Sequence, residues 1–247
     1  MKTAVIAPLG LSPSVITSFI VGIGEKISDL VLLTTENEEV KAGFELIRIG
    51  MSLRYPQIRI HEVVLPFEDV STTEENLRFM SICAKVIREE REKYGCDRIL
   101  LNVAGGRKNM CITLSLLGQL MAVDGVYHVV SRDVKVVNQL LESLREDIRR
   151  IYLAKGDEKL KIYREKERYF NSLLFPSPND FEIVRIPTLP YPKEYLQRIL
   201  VSLFQDFEAL KAEEKILLEK HGILERLGNK FILSDYGKKL VDILLGR

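Results

Sequence analysis

The chain has no tryptophan, and only three cysteines and three histidines among 247 residues. Cys83, Cys96 and Cys111 form no CxxC pair, and none stands at zinc spacing from a histidine. Neither a disulfide framework nor a zinc module is therefore expected. An odd number of widely spaced cysteines fits a reducing compartment, where they serve as small apolar residues. An excess of one charge is also lacking: 36 Lys and Arg against 35 Asp and Glu leave a net +1, which excludes a basic nucleic-acid coat. Long hydrophobic runs are missing too. The run Thr3–Ala7 is too short for a signal core or a membrane span, so a cytoplasmic protein without a membrane partner is expected. There is no GxxxxGK[ST], and Gly22-Ile23-Gly24 ends a helical pattern instead of opening one. No P-loop, dinucleotide fingerprint, metal or other cofactor is expected.

What is present is a hydrophobic share of 46%, enough for a sizeable core. Short apolar runs at Thr3–Ala7, Leu30–Thr34, Ile58–Leu65, Arg98–Val103 and Val126–Val130 alternate with helical patterns at Pro13–Ile23, Glu38–Leu53, Thr73–Tyr94 and Arg107–Met121. Such alternation predicts an α/β, Rossmann-like and mostly parallel sheet, with right-handed crossovers placing helices on both faces. The strands are continuous apolar runs, as burial on both faces requires. Residues 133–168 are charge-dense and helical with a break near Gly156, and read as a helical insertion. The insertion is a solvated strut, a lid or a dimer arm. Phe181–Ile186 suits an edge strand, and Pro187, Pro190 and Pro192 read as a linker. The division is thus 1–190 for the sheet domain and 191–247 for a small C-terminal domain. In the latter, helix at Tyr195–Lys220, a hairpin signal around Leu227-Gly228-Asn229 and a closing helix capped by Ser234 give a winged-helix-like order.

Ligands of open α/β sheets bind beyond the carboxyl ends of strands, where the strand order reverses. Two loops leaving such ends are unusual. Gly10, Leu11, Ser12, Pro13 and Ser14 place a turn-permitting glycine and two hydroxyls before a helix, with Ser12 also a plausible N-cap. Ala104, Gly105, Gly106, Arg107, Lys108 and Asn109 place two glycines and two cations between a strand and a helix. Adjacent glycines can expose N–H groups to an oxyanion. Cations in a first helical turn oppose the dipole, and a bound anion would compensate them. The following helix has one stripe of Met110, Leu114, Leu117 and Met121 and another of Ile112, Leu116 and Leu120. The second stripe needs cover from a twofold partner, the insertion or the C-terminal piece.

Gly-Leu-Ser-Pro-Ser-Val-Ile-Thr after the first strand, with Ala-Gly-Gly-Arg-Lys-Asn-Met after the fourth, resembles the CARF domains of CRISPR-associated proteins over roughly residues 1–130. Among these it is most similar to the stand-alone ring nucleases. The resemblance implies a homodimer whose cleft holds a cyclic oligoadenylate, commonly the tetra-adenylate. It implies metal-independent cleavage, in which a ribose 2′-hydroxyl attacks the neighbouring phosphate and leaves a 2′,3′-cyclic phosphate. By motif, Ser12 and Lys108 become catalytic candidates, with Gly10, Leu11, Ser14, Ala104, Gly105, Gly106, Arg107 and Asn109 binding the ligand and Thr34 and Thr35 lining an adenine pocket.

The main rival is a cyclic-oligoadenylate-responsive transcription regulator that binds DNA through the tail. The tail's charge balance speaks against it: Lys211, Lys215 and Lys220 are offset by Glu213, Glu214 and Glu219. A HEPN-type RNase is discounted because Arg54 and His61 straddle Pro56. His128 lies in an apolar strand and reads as a core residue, and no histidine adjoins either loop in sequence.

Overall fold

The computed structural model describes residues 1–189, 193–228 and 230–247. Six strands form one sheet: β1 (Thr3–Pro8), β2 (Asp29–Thr34), β3 (Arg59–Val64), β4 (Arg98–Asn102), β5 (Gly125–Ser131) and β6 (Phe181–Ile186). Their order is β3-β2-β1-β4-β5-β6, parallel except for β6, which runs antiparallel to β5 with Tyr127 opposite Arg185. The α/β, mostly parallel architecture read from the sequence is present. Four helices connect the parallel strands: α1 (Ser14–Gly22), α2 (Glu38–Arg54), α3 (Thr73–Glu92) and α4 (Lys108–Leu120).

Every residue of β1 and β2 is buried, as their unbroken apolar runs require. Alternate residues serve opposite faces. Val5, Ala7, Leu30 and Leu32 join the core that also contains Ile16 and Phe19 of α1 and Phe44 and Ile47 of α2. Ala4, Ile6, Val31 and Leu33 join the core with Phe79 and Ile87 of α3 and Leu114 and Leu117 of α4. The chain order turns outward in both directions from β1 and β4, so the loops leaving these neighbours flank the switch point.

Between β5 and β6 stand α5 (Val134–Leu153), α6 (Glu158–Glu165) and α7 (Glu167–Leu174). The insertion ends six residues beyond the expected 168, because Phe170, Leu173 and Leu174 share one buried helical face. It is more than a solvated strut: Leu144, Ile148, Ile151, Tyr163 and Phe170 are part of the α1–α2 core.

The C-terminal region contains α8 (Lys193–Gln205), α9 (Ala212–Lys220), the hairpin β7 (Leu224–Leu227) and β8 (Lys230–Leu233), and α10 (Asp235–Leu245). The single helix expected at 195–220 is broken by a 3-10 turn at Phe207–Ala209. The break puts Glu213 and Glu214 in a first turn, where acidic groups favour the helix dipole. Ser234 caps α10 as expected, its hydroxyl accepting from the Gly237 N–H at 2.9 Å. Pro190 and Pro192 of the expected linker and Asn229 of the hairpin signal lie outside the described residues. Arg88 of α3 donates to the carbonyls of Ile243 (2.7 Å) and Leu244 (3.0 Å), tying the end of α10 to the sheet domain.

Two local expectations are corrected. Pro13, not Ser12, holds the cap position of α1, and no side chain caps that helix. Proline can occupy the start of a helix because the missing N–H is unpaired there anyway. Cys96 is not merely apolar: its thiol faces Asp29 (3.3 Å) and Glu90 (3.4 Å), both buried and both bonded to Arg59. Burial and these carboxylates push the thiol up to about 12. Asp29, Glu90 and Cys96 could converge on a cation, but Arg59 already supplies positive charge there. This cluster begins at the first residue of β2, at the end of the sheet away from the switch-point loops.

Candidate functional site

The two loops fit against each other because they are made of glycine. A methyl group on Gly10 would lie 2.8 Å from the Gly106 nitrogen, and one on Gly105 would strike the Pro8 carbonyl oxygen. Gly106 has φ +80° and would bring a Cβ within 2.8 Å of the Pro8 side chain. Only residues without a Cβ allow this approach and this backbone conformation. Asn102 reinforces it: its amide donates to the Val15 carbonyl (3.0 Å) and its oxygen accepts from Ala104 N–H (3.1 Å). The Cys111 thiol reaches the Gly105 carbonyl at 3.0 Å.

A cleft of about 390 Å³ opens above this junction. Gly10, Leu11, Ser12, Thr35, Ala104, Gly105, Gly106 and Arg107, all expected site residues, line it. Ser12 caps nothing, and among the described residues its hydroxyl bonds only the Ser14 hydroxyl, at 3.2 Å. Arg107 stands at the N-cap position of α4, paired with Asp69 at 3.2 Å. The pair is exposed, so its net stabilisation is under about 1 kcal/mol and an incoming anion can compete for the guanidinium.

The remaining expected residues sit elsewhere. Lys108 lines a second, more open hollow of about 440 Å³, which shares Ala104 and Gly106 with the cleft. Ser14 is buried beneath Ser12. Thr34 is fully buried and donates to Glu62 at 2.8 Å, so Thr35 alone of the two threonines reaches the cleft. Asn109 donates to the Val70 carbonyl and lines neither hollow.

Several lining residues escape a sequence reading. Asn37 caps α2 by accepting from Glu39 (3.0 Å) and Val40 (3.2 Å), and all three line the cleft. Asn before two glutamates is a legible cap signal, though it says nothing of a ligand. Glu68 also lines the cleft. The largest surprise is His128, which shares the second hollow with Lys108, Cys111, Ile112 and Ser115. No histidine adjoins the loops in sequence, but one does in space.

Helix α5 borders a neighbouring gap that shares Leu11 and Glu39 with the cleft. Arg145 pairs with Glu39 at 2.7 Å and Arg149 with Glu38 at 3.3 Å, across a gap of about 210 Å³ that Leu11 and Pro13 also line. On α4, Met110, Leu114 and Leu117 are fully buried, whereas Ile112 and Leu116 are 65% and 53% exposed. Among the described residues, neither the insertion nor the C-terminal helices cover that stripe where it passes the Lys108 hollow. Among the described residues no helix is long and apolar enough to cross a membrane.

Residues 12–221 match the family model described as CRISPR-associated protein NE0113 (Cas_NE0113). The chain is 30% identical over 148 residues to the CRISPR system ring nuclease SSO2081 of Saccharolobus solfataricus, an alignment covering 57% of this chain and 78% of that protein. Looser likenesses reach Enterococcus italicus Csm6 bound to cyclic hexa-2′-fluoro-hexa-dAMP, at 17% identity and a TM-score of 0.48, covering 99% of this chain and 54% of that one. Can2 from Sulfobacillus thermosulfidooxidans in complex with cyclic tetra-adenylate follows at 14% and 0.39, covering 98% and 62%. The chain thus spans about half the length of that Csm6 chain and under two thirds of Can2.

Proposed function

This chain belongs to the family of CRISPR-associated protein NE0113, and on that premise we propose that it is a ring nuclease that binds a cyclic oligoadenylate of tetra-adenylate size and cleaves it without a metal. The observation that carries the reading is the glycine junction, where Gly10, Gly105 and Gly106 line one cleft together with Ser12 and Arg107. Backbone donors and a cation suit phosphodiester oxygens. In this mechanism a ribose 2′-oxygen attacks the adjacent phosphorus and the 5′-oxygen departs, leaving a 2′,3′-cyclic phosphate. Ser12 holds the phosphate or ribose so that attack is in line, an orientation effect. Lys108 stabilises charge building on the phosphoryl oxygens.

The reading requires two copies. The exposed Ile112–Leu116 stripe runs beside the Lys108 hollow, so a twofold contact through it would bring two hollows and two clefts together around one ring. Helix α5, tied to Glu38 and Glu39, then serves as a flanking lid.

The test is incubation of purified protein with labelled cyclic tetra-adenylate in EDTA. Linear products ending in 2′,3′-cyclic phosphate are expected. Binding without cleavage would make the protein a sensor and turn attention to its tail as a DNA reader. Against that second reading, Arg198 is bonded to Glu214, and Arg226 of the hairpin to Glu219 at 2.8 Å, so these tail cations are already neutralised.

A further inference from the structure

The proposed reaction leaves one proton unassigned. The 2′-hydroxyl must lose it as the oxygen attacks, and neither Ser12 nor a protonated Lys108 can accept it. We infer that His128 is a catalytic residue, the base that takes this proton through Nε2; the assignment rests on the ring-cleavage reading above.

The position of His128 follows from strand periodicity. Tyr127 and Val129 enter the core on the α1–α2 face, while Val126 and His128 point to the α4 face. Val126 is sealed into the core with Leu114 and Leu117. His128 lies two residues further along β5, where the first turn of α4 leaves a hollow instead of packing over it. The imidazole is half-buried, opposite Val184 of β6.

Its polar neighbours fix its chemistry. Nδ1 lies 3.4 Å from the Val103 carbonyl oxygen. A carbonyl only accepts, so Nδ1 carries the hydrogen in the neutral ring and Nε2 keeps the lone pair. The other titratable groups in the hollow are Lys108 and Cys111, both from α4; the β4 loop and β6 contribute Val103, Ala104, Gly106 and Ile186. The Cys111 thiol is engaged with the Gly105 carbonyl, and burial pushes it up, so it stays protonated and does not compete as a base.

The step balances. The 2′-oxygen forms its bond to phosphorus as its proton passes to Nε2, and the bond from phosphorus to the 5′-oxygen breaks. Lys108 gives a proton to the departing oxygen, and His128 returns its own to Lys108 through solvent. A positioned base contributes about 100-fold or more to such a rate.

The variants His128→Asn and His128→Ala test this under single-turnover conditions with saturating cyclic tetra-adenylate. Asn keeps a donor near the Val103 carbonyl but has no basic nitrogen. It is expected to bind the ring within about twofold of the wild type and to cleave it about 100-fold more slowly. Added imidazole is expected to restore much of the rate of His128→Ala, which a merely structural role for the ring would not allow. Full-rate cleavage by His128→Asn, or no response of a slow His128→Ala to imidazole, would overturn the assignment while leaving ring cleavage intact. If the wild type binds the ring without cutting it, ring cleavage and the His128 assignment fall together.

Discussion

The residues of the junction divide by what else they must do. Among the described residues the Lys108 side chain makes no hydrogen bond or ion pair, so Lys108→Ala should fold normally. It should lose more than about tenfold in cleavage rate, equivalent to roughly 1.4 kcal/mol of transition-state stabilisation; retained activity would remove it from the mechanism. Ser12 was open to a purely structural reading as a helix cap, and such a cap contributes about 1 kcal/mol. Its hydroxyl faces Ser14 instead. Ser12→Ala is therefore expected to keep the wild-type melting temperature while turnover falls, and thermal unfolding beside a cleavage assay checks both. The need for glycine at positions 10, 105 and 106 was legible from sequence, because glycines between strand and helix mark close approaches; that they approach each other was not. His128 was not, since an apolar strand end looks the same whether a helix covers it or leaves it open. The direction of the Asn109 side chain was equally hidden: proximity to a motif does not determine which way an amide points, and Val70 claims this one.

At the scale of elements, the strand–helix alternation of the first 130 residues was readable almost throughout, because buried parallel strands are unbroken apolar runs. Boundaries shifted where aromatic residues lie on helical faces, as at Phe170, or where acidic pairs start a new helix, as at Glu213 and Glu214. Helix α3 shows how a terminus can be tested. Thr72 and Glu75 form a capping box, and backbone hydrogen bonding from Ser71, aided by Thr72, holds the Glu75 carboxyl below its ordinary range. A lowered folded value means that its contribution is present above the unfolded carboxylate value of about 4.3 and is lost as pH falls through the folded one. The melting temperature of the wild type should consequently fall more steeply than that of Glu75→Gln between about pH 5 and pH 3. Parallel curves for the two proteins would show that the ionised form contributes nothing to the cap.

For the whole molecule, the decisive question is how many chains make a site. Ile112 is 65% exposed, so replacing it with glutamate leaves the core of the single chain untouched. Ile112→Glu is expected to halve the mass measured by light scattering and to abolish ring cleavage together. A variant that becomes monomeric and still cleaves would confine the site to one chain. The tail belongs to the same scale. Arg88 fastens α10 to α3, and α3 packs beside α4, so α4 and α10 are joined through one helix.

The fit of the two glycine loops has a consequence for inheritance and for engineering. Because each loop fills the space that a side chain on the other would need, neither can be exchanged alone. A graft from a relative that adds even one methyl group at Gly10 must move the backbone at Gly106, and one at Gly105 must move Pro8. The two segments, nearly a hundred residues apart in sequence, therefore behave as a single heritable unit. Leu11, Thr35, Glu39 and Glu68 line the cleft outside the glycine contacts, so substitutions there ask for no such backbone movement.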